Sequence, residues 1–264
     1  MVLRSIRRPE FVITVLASVL PACSFGQTSA PTAAEQRGVR DFIQKSGVKP
    51  LEESGFQSIF NGKNLEGWDC DPDFWRTEGG AMVGETKPDH QPKQNIFCIW
   101  KGGEPADFEF KAQYRLTGTN GNSGIQYRSI ERPEVAKWVL QGYQADIDLH
   151  QMFTGQIYEE RARGFLAMRG QIAYVSTGKK PGSIGQVGDS DQLKSFIKDN
   201  DWNEIHIIAR GNTLVQLING HVMSTLIDDD TAGRKMSGKL GIQLHLLPNA
   251  AMKMEVKNIR LKSF

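Results

Sequence analysis

The chain has 264 residues, of which 39% are hydrophobic, so it is too long and too apolar for a disordered protein and sufficient for one large all-β domain. Its formal net charge of +2 falls to 0 without residues 1–22, because these carry three arginines and one glutamate. A neutral chain has no excess positive charge to attract phosphates, so we expect no nucleic-acid partner.

Residues 1–22 have the composition of an export signal. Arginines precede the uncharged apolar run Phe11–Leu20, which is too short to span a bilayer as a helix. The sequence Leu-Pro-Ala-Cys at 20–23 resembles a lipoprotein box, in which Cys23 is lipidated and attaches the protein to a membrane. Ordinary cleavage after Gly26 is the alternative. We expect an exported protein in the periplasm or cell envelope, either lipid-anchored or free.

Residues 23–55 are predicted to be a flexible tether, because they are small and polar and promise no core. Residues 56–264 show a dozen short β-type runs separated by Gly, Asn, Asp and Pro clusters, which favours a single β-sandwich or jelly-roll domain. One short helix fits residues 190–198, and Asn219-Gly220 fits a hairpin turn. The predicted strands lie at 56–60, 80–85, 95–100, 107–116, 123–130, 138–147, 156–160, 171–177, 202–210, 213–220, 239–246 and 252–261.

Alternation along five of these strands separates an apolar set of side chains from a polar set. Successive side chains of a strand point to opposite faces of the sheet, so the apolar set is assigned to the core. The polar set is rich in Gln, Arg, Asp and His and poor in Lys, which favours a concave groove that binds a ligand over a solvated sheet exterior. Its members are Gln113, Arg115, Gln126, Arg128, Gln144, Asp146, Asp148, Glu204, His206, Gln243 and His245.

Tryptophans at 100, 138 and 202 accompany this polar set. A sugar needs donors and acceptors for its hydroxyl groups and rings against which its C–H faces stack. Asn122, in the turn Asn122-Ser123-Gly124, adds a hydroxyl contact. The sequence therefore predicts a small saccharide as the ligand. The predicted substrate-binding residues are Gln144, Asn122, Gln126, Arg115, Trp202 and Gln243.

Segments in collinear order from Phe56 to Lys262 resemble the 3-keto-disaccharide hydrolase family, a former domain of unknown function. The segments are FNGKNLEGW, FWRTEGGAMVGE, DFEFKAQYRL, NSGIQYRS, GYQADID, TGQIYEE, DWNEIHIIARGNTLVQLINGH and MKMEVKNIRLK. The resemblance implies a concanavalin A-like or laminin-G-like β-sandwich, export by bacteria, and activity on 3-keto-glycosides. The chain departs from the family motif Gly-Tyr-Glu-x-Gln, because Gln144 replaces the glutamate and Asp146 the glutamine.

The chemistry implied by the resemblance needs one base and one group that stabilises an enolate. The C3 carbonyl acidifies the hydrogen on C2, so removal of that proton lets the C1 group leave, and hydration of the enone completes hydrolysis. Release of the enone would instead make the enzyme a lyase. The candidate bases are Asp146, Glu159 and His245, and the candidate enolate stabilisers are Arg128, His245 or a divalent metal ion.

Alternatives accompany each of these assignments. Asp146 either acts on the substrate or forms an ion pair with Arg115 or Arg128. Because Glu159 and Glu160 are adjacent, at most one of them enters the groove, and the other pairs with a neighbouring arginine. Asp146 and Asp148 lie on one side of a strand, as metal ligands would, although the spacing is common by chance.

The sequence leaves three broader questions open. A non-catalytic carbohydrate-binding module has the same fold, and a perturbed pKa in the groove would distinguish an enzyme from it. A conventional glycosidase would need two opposed carboxylates, and an adhesion domain would expose an apolar patch. Cys70 and Cys98 fit either a disulfide or two buried thiols, and the sequence does not indicate an oligomeric state.

Overall fold

The computed structural model describes residues 54–264. The predicted export signal, the predicted lipidation site Cys23 and nearly all of the predicted tether lie outside the described residues. Within residues 54–264, no helix combines the length and hydropathy needed to cross a bilayer.

The described part of the chain contains seventeen β-strands and one short α-helix. The strands are β1 (Gln57–Ser58), β2 (Trp68–Asp69), β3 (Trp75–Glu78), β4 (Ala81–Thr86), β5 (Ile96–Trp100), β6 (Phe108–Gly118), β7 (Asn122–Glu131), β8 (Leu140–Asp148), β9 (Ile157–Glu160), β10 (Gly164–Ala167), β11 (Gln171–Ser176), β12 (Gly182–Gln186), β13 (Asn203–Arg210), β14 (Thr213–Ile218), β15 (His221–Asp229), β16 (Lys239–Leu244) and β17 (Met252–Ser263). Helix α1 spans Ser190–Lys194, within the stretch predicted to be helical.

Two sheets pack face to face. The larger has ten strands in the order β12-β11-β15-β14-β13-β6-β17-β4-β3, with β1 also paired to β17. The smaller has seven strands in the order β10-β9-β8-β7-β16-β5-β2. Most pairs are antiparallel, and β11 with β15 is a parallel pair. The structure confirms the predicted β-sandwich of jelly-roll type.

The core between the sheets consists of the side chains that alternation assigned to it. On β6, Phe108, Phe110, Ala112 and Tyr114 are buried, while the residues that alternate with them are half-buried. On β8 of the smaller sheet, Tyr143 and Ala145 belong to the same core cluster. The period of two along each strand therefore identified the inward face correctly in both sheets.

Two local predictions can be compared directly with the structure. Asn219 and Gly220 connect β14 to β15 with positive φ angles of 51° and 82°, which is the backbone geometry that a two-residue hairpin turn requires. Cys70 and Cys98 form a disulfide, which links the end of β2 to its partner strand β5. A disulfide of this kind typically stabilises a fold by about 2–4 kcal/mol.

Five strands were not predicted. Four of them are the edge strands of the two sheets, β2, β3, β10 and β12, and the fifth is β15, which lies inside the larger sheet between β11 and β14. An edge strand pairs on one side only and is often short, so its sequence needs no sustained alternation of apolar and polar residues. Of these strands, β10 borders a groove on the seven-stranded sheet.

Candidate functional site

A groove of about 250 Å³ lies on the outer face of the seven-stranded sheet. Its floor comes from the central strands β7, β8 and β16, and its walls come from β9, β10 and the loops beside them. The residues that line this groove are Asn95, Asn122, Gln144, Asp146, Phe153, Tyr158, Glu160, Phe165, Gln243 and His245.

The floor follows from strand alternation, because the core-facing residues of β8 leave Gln144 and Asp146 on the opposite face. Gly124 of β7 is paired with Asp146 in the sheet register. A Cβ atom at Gly124 would lie 2.6 Å from Cγ of Gln144, so the absence of a side chain there lets Gln144 lie flat across β7. This close approach positions the Gln144 amide beside the carboxyl group of Asp146.

Asp146 is the most perturbed acid in the groove. Its side chain is only 4% exposed. Burial is the main cause that raises the pKa of Asp146 to about 8. The hydrogen bond from Gln144 lowers this pKa, whereas the negative charges of Asp148 and Glu160 raise it further. A carboxyl group with this pKa exchanges protons near neutral pH, which suits a general base or acid.

A row of amides orients Asp146 from behind. Nε2 of Gln144 donates to Oδ1 of Asp146 at 2.5 Å and lies 3.4 Å from Oε1 of Gln243. The amide of Gln126, which is fully buried beneath the floor, lies 3.1 Å from Oε1 of Gln144. Among the described residues, Nε2 of Gln243 is buried and has no hydrogen-bond partner. An unpaired buried donor costs about 1–3 kcal/mol, so this amide is under-satisfied in the structure.

His245 follows β16 at the edge of the floor. Its Nδ1 lies 2.7 Å from the carbonyl oxygen of Leu246, so Nδ1 carries the proton of the neutral ring and Nε2 keeps a lone pair. The pKa of His245 is lowered, and burial is the main cause. The hydrogen bond to Leu246 and the charge of Glu160 raise this pKa but do not offset burial. His245 is therefore a neutral acceptor or base at physiological pH.

The two adjacent glutamates of β9 point to opposite sides of the sheet. Glu160 lines the groove, where its Oε1 accepts a hydrogen bond from Asn95 at 3.3 Å. Glu159, the predicted base, instead points into the sandwich and pairs with Arg163 at 2.5 Å. Arg163 also binds Asp228 of the opposite sheet. The sequence identified the pair, but the groove contains Glu160 and not Glu159.

Arg128 lies outside the groove, although alternation along the strand predicts that it shares a face with Gln126. A β-bulge interrupts β7 between Tyr127 and Ile130, and Arg128 has a positive φ angle of 46°. The bulge turns the side chain away from the groove. Its guanidinium donates to the carbonyl oxygens of Ala106 and Gly211 at 2.7 Å each. Arg128 therefore ties loops together and is not positioned to stabilise an enolate in the groove.

Two predicted substrate-binding residues lie on the other sheet. Arg115 projects from β6 on the outer face of the ten-stranded sheet, where it binds Glu255 at 2.7 Å. The ring of Trp202 is covered there by Arg115 at 4.8 Å and by Lys257 at 3.9 Å. These two residues are separated from the groove by the full thickness of the sandwich, because β6 and β13 belong to the larger sheet.

The carboxylate of Asp148 is used in hydrogen bonds to the loop that follows β8. It accepts hydrogen bonds from the backbone N–H groups of Met152, Phe153 and Thr154 and from the Thr154 hydroxyl. Among the described residues there is no group of three or more His, Cys, Asp or Glu side chains arranged to hold a metal. The residues therefore do not fit a metal site at Asp146 and Asp148, and Asp148 instead shapes the loop that carries Phe153.

An aromatic wall borders one side of the groove, and the sequence did not predict it. The Phe165 ring lies 5.5 Å from Phe153 and 5.0 Å from Tyr158, measured between ring centroids. Burial raises the pKa of Tyr158, and the charges of Glu160 and Asp146 add to this effect, so its hydroxyl stays protonated. Phe165 is 39% exposed and offers a ring face to a ligand. Its position on the unpredicted edge strand β10 explains why the sequence pattern did not reveal it.

A family match supports a carbohydrate-related function, and solved structures share the fold. Residues 55–262 match the family described as the 3-keto-alpha-glucoside-1,2-lyase-like domain. A comparison with curated proteins found no match. Two crystal structures of candidate glycosyl hydrolases from Parabacteroides distasonis ATCC 8503 share the fold. One has 18% identity and a TM-score of 0.50 and covers 79% of this chain and 99% of its own. The other has 18% identity and a TM-score of 0.51, with coverages of 82% and 98%.

Proposed function

This chain belongs to the family of 3-keto-alpha-glucoside-1,2-lyase-like domains, and from that premise we propose that it cleaves 3-keto-glycosides, with Asp146 as the base that removes the C2 proton. The observation that carries the proposal is the buried carboxyl group of Asp146 on the floor of the groove, with its pKa raised to about 8. The family match supports a carbohydrate-related function, and the geometry of the groove supports this particular reaction.

The first step is proton abstraction. The ionised Asp146 takes the proton from C2 of the sugar, and the electron pair of that C–H bond moves toward the C3 carbonyl to form an enolate. Gln243 lines the groove, and we assign its Nε2–H, which has no partner among the described residues, as the donor to the enolate oxygen; because this atom is buried, the side chain must turn toward the groove to reach the ligand. Such a donor strengthens its hydrogen bond as negative charge develops on the oxygen.

The second step expels the group at C1. The enolate re-forms the C3 carbonyl, a C1–C2 double bond forms, and the C1–O bond breaks, so that the leaving oxygen takes up a proton. Tyr158 lines the groove with a hydroxyl that stays protonated, and we assign it as the donor of that proton. Addition of water across the double bond, with its hydroxyl at C1 and its proton at C2, gives net hydrolysis. Release before this addition gives the enone of a lyase.

The aromatic wall and the amides hold the sugar for this reaction. A C–H face of the ring stacks on Phe165, while Asn122, Gln144 and Glu160 hydrogen-bond the hydroxyl groups,. Binding in this orientation places C2 over the carboxyl group of Asp146. Holding a reacting atom near its base contributes strongly to rate, because the reaction becomes effectively unimolecular.

The test is product formation from 3-keto-trehalose or a methyl 3-keto-glucoside beside the unoxidised sugars, with and without a chelator. We expect cleavage of the keto sugars only, and incorporation of deuterium from solvent at C2 of the hydrated product. Cleavage of the unoxidised sugars at a similar rate would contradict elimination chemistry. Loss of turnover with the chelator and recovery with a divalent ion would assign a metal role that the proposal does not contain.

A saccharide-binding role without cleavage is the second candidate. The exposed ring of Phe165 beside a row of amides is sufficient to bind an unoxidised sugar, and it requires no base. Measurable binding of trehalose to the groove, with no turnover of either keto sugar, would favour this role over the enzyme. Isothermal titration calorimetry of the wild type and of Phe165→Ala, beside the activity assay, distinguishes the two, because loss of the Phe165 ring should weaken binding in the groove.

A further inference from the structure

A second cavity, of about 390 Å³, lies on the other side of residues 94–96 from the groove. Asn95 lines the groove, whereas its neighbours Gln94 and Ile96 line the second cavity. Neighbouring side chains of an extended segment point in opposite directions, so this short segment forms a wall between the two spaces. The second cavity is lined by Asp71, Asp73, Phe74, His90, Gln91, Pro92, Lys93, Gln94, Ile96, Ala136, Lys137 and Trp138.

Trp138 is the most unusual residue of the second cavity. Its backbone has a positive φ angle of 61°, a conformation that is unfavourable for a bulky side chain and easy for glycine. Such strain persists only where the surrounding structure enforces it, and it concentrates at functional sites. A tryptophan at this position therefore points to a use for its ring that compensates for the strain.

The Trp138 ring is held in one orientation. Its Nε1 donates to Oδ1 of Asp69 at 2.7 Å, and its carbonyl oxygen accepts a hydrogen bond from the backbone N–H of Phe97 at 2.8 Å. The disulfide between Cys70 and Cys98 joins the residues next to both partners. A rigid ring loses little conformational entropy when a ligand stacks on it.

The groups around Trp138 combine apolar surface with mixed charge. Lys137 places its Nζ 4.0 Å from the ring centroid, and the carboxyl groups of Asp71 and Asp73 line the same cavity. Phe74 supplies a second ring, which stacks on His90 at 4.6 Å. Carboxylates accept hydrogen bonds from hydroxyl groups, an ammonium group donates to them, and rings pack against C–H faces. A neutral sugar ring presents these three kinds of surface together.

We propose that this cavity is a second saccharide-binding site, separate from the groove, in which a neutral sugar ring stacks on Trp138. The inference goes beyond the proposed function, because it stands whether or not the groove cleaves 3-keto-glycosides. A second site would hold the protein on a glycan or retain a longer saccharide while the groove acts on another sugar unit.

The test is a ¹H–¹⁵N spectrum of the indole groups during titration with trehalose, maltotriose and cellotriose. The chain has five tryptophans, and the variant Trp138→Phe identifies the Trp138 resonance by its loss. We expect the Trp138 signal to shift saturably with at least one of these sugars. The Trp202 signal should stay in place, because Trp202 lies beside β13 of the other sheet and does not line this cavity.

Matched variants separate the second cavity from the groove. By isothermal titration calorimetry, Trp138→Ala should weaken binding of the same sugar at least tenfold, and Trp202→Ala should leave the affinity within twofold. Phe165→Ala, which removes part of the groove wall, should leave the Trp138 shift unchanged. If Trp138→Ala does not fold, the titration of the wild-type Trp138 signal still decides the question.

Two results would overturn the proposal. One is a Trp138 resonance that does not move with any of the three sugars at their highest soluble concentrations. The other is a Trp138 shift that disappears in Phe165→Ala, since this would place the ligand in the groove. Neither readout depends on turnover, so failure of the second site and failure of the 3-keto-glycoside reaction are distinguishable.

Discussion

The outer faces of the two sheets carry similar polar residues, but these form ion pairs on one face and leave a buried carboxyl group without an ion pair on the other. On the ten-stranded sheet these residues pair with one another, as in Arg115 with Glu255 at 2.7 Å and His206 with Glu109 at 2.9 Å. On the seven-stranded sheet, Asp146 is buried and, among the described residues, receives a hydrogen bond from the Gln144 amide but no ion pair. One face satisfies its own charges, and the other leaves a carboxyl group available to a ligand.

This difference shows that polar residues on a strand indicate function only when burial accompanies them. A half-exposed ion pair contributes little to the free energy of folding, because water solvates both charges before the pair forms. A buried carboxyl group with neutral partners is held near its protonation midpoint at neutral pH, which is the condition for acid-base catalysis. Variants on the two faces should therefore differ both in the size of their effects and in the property that changes.

The largest effect should come from Asp146→Asn, which keeps the size of the side chain and removes the base. We expect kcat/KM on a 3-keto-glucoside to fall by about 10³-fold, equivalent to about 4 kcal/mol of barrier. The matched control Glu255→Gln on the other face should stay within twofold. Turnover of Asp146→Asn within tenfold of wild type would remove Asp146 as the base and leave His245 as the next candidate.

The pH dependence of activity and of stability should both depend on Asp146. Its pKa is raised to about 8 in the folded protein from an ordinary 3.8, so kcat/KM should rise with pH to a plateau above about pH 8. Between these two pH values the folded state keeps a proton that the unfolded state releases, so the free energy of unfolding falls as pH rises.

The stability half of this prediction is measured as the unfolding midpoint between pH 4 and pH 9. Between pH 4 and pH 9 the free energy of unfolding of wild type should fall by on the order of 3 kcal/mol more than that of Asp146→Asn. This figure is discounted for relaxation of the site. Parallel stability curves for the two proteins would show that Asp146 titrates normally. A rate profile with its midpoint below pH 6.5 would favour His245 as the base, since burial lowers the pKa of that histidine.

Gly124→Ala tests the packing that positions the amide row. The added Cβ would lie 2.6 Å from Cγ and 2.7 Å from Cδ of Gln144, so the Gln144 amide must move away from Asp146. We expect a stability loss of about 2 kcal/mol and a fall in kcat/KM of about 30-fold, equivalent to about 2 kcal/mol. Gly182→Ala is the control, because an added Cβ there would meet no atom within 4 Å.

Phe165→Ala removes the exposed ring of the aromatic wall and should act on binding more than on chemistry. We expect KM to rise about tenfold, equivalent to about 1.4 kcal/mol, with kcat within threefold of wild type. The expected loss of folding stability is about 1–2 kcal/mol, because the ring is 39% exposed and otherwise packs on Phe153 and Tyr158,. A fall in kcat with an unchanged KM would show that Phe165 acts on the reacting geometry instead.

Arg115→Met should have the smallest effect and so provides the reference for the paired face. It breaks the ion pair with Glu255, which keeps Lys253 as a neighbour at 3.6 Å. We expect a stability change of about 0–1 kcal/mol and an unchanged kcat/KM. A loss of activity comparable to that of Asp146→Asn would mean that the paired face also takes part in the reaction.

Prediction from sequence succeeded where structure depends on local pattern. The period of two assigned Phe110 and Tyr143 to the core, and the dipeptide Asn219-Gly220 to a hairpin turn. The same alternation assigned Gln144, Asp146 and Gln243 to a non-core face, and all three line the groove. It did not find the edge strands, so the ring of Phe165 on β10 was missed, as was Phe153 in the loop shaped by Asp148.

The sequence by itself determined that the chain is an all-β sandwich, which side chains face its core, and which family it belongs to. Only the tertiary structure decided which sheet each polar strand joins, because β16 pairs with β7 across more than a hundred residues and alternation contains no information about such partners. The bulge that turns Arg128 away and the choice of Glu160 over Glu159 are likewise set by pairing and packing. Burial, which raises the pKa of Asp146, results from these long-range contacts and is not a property of any local segment.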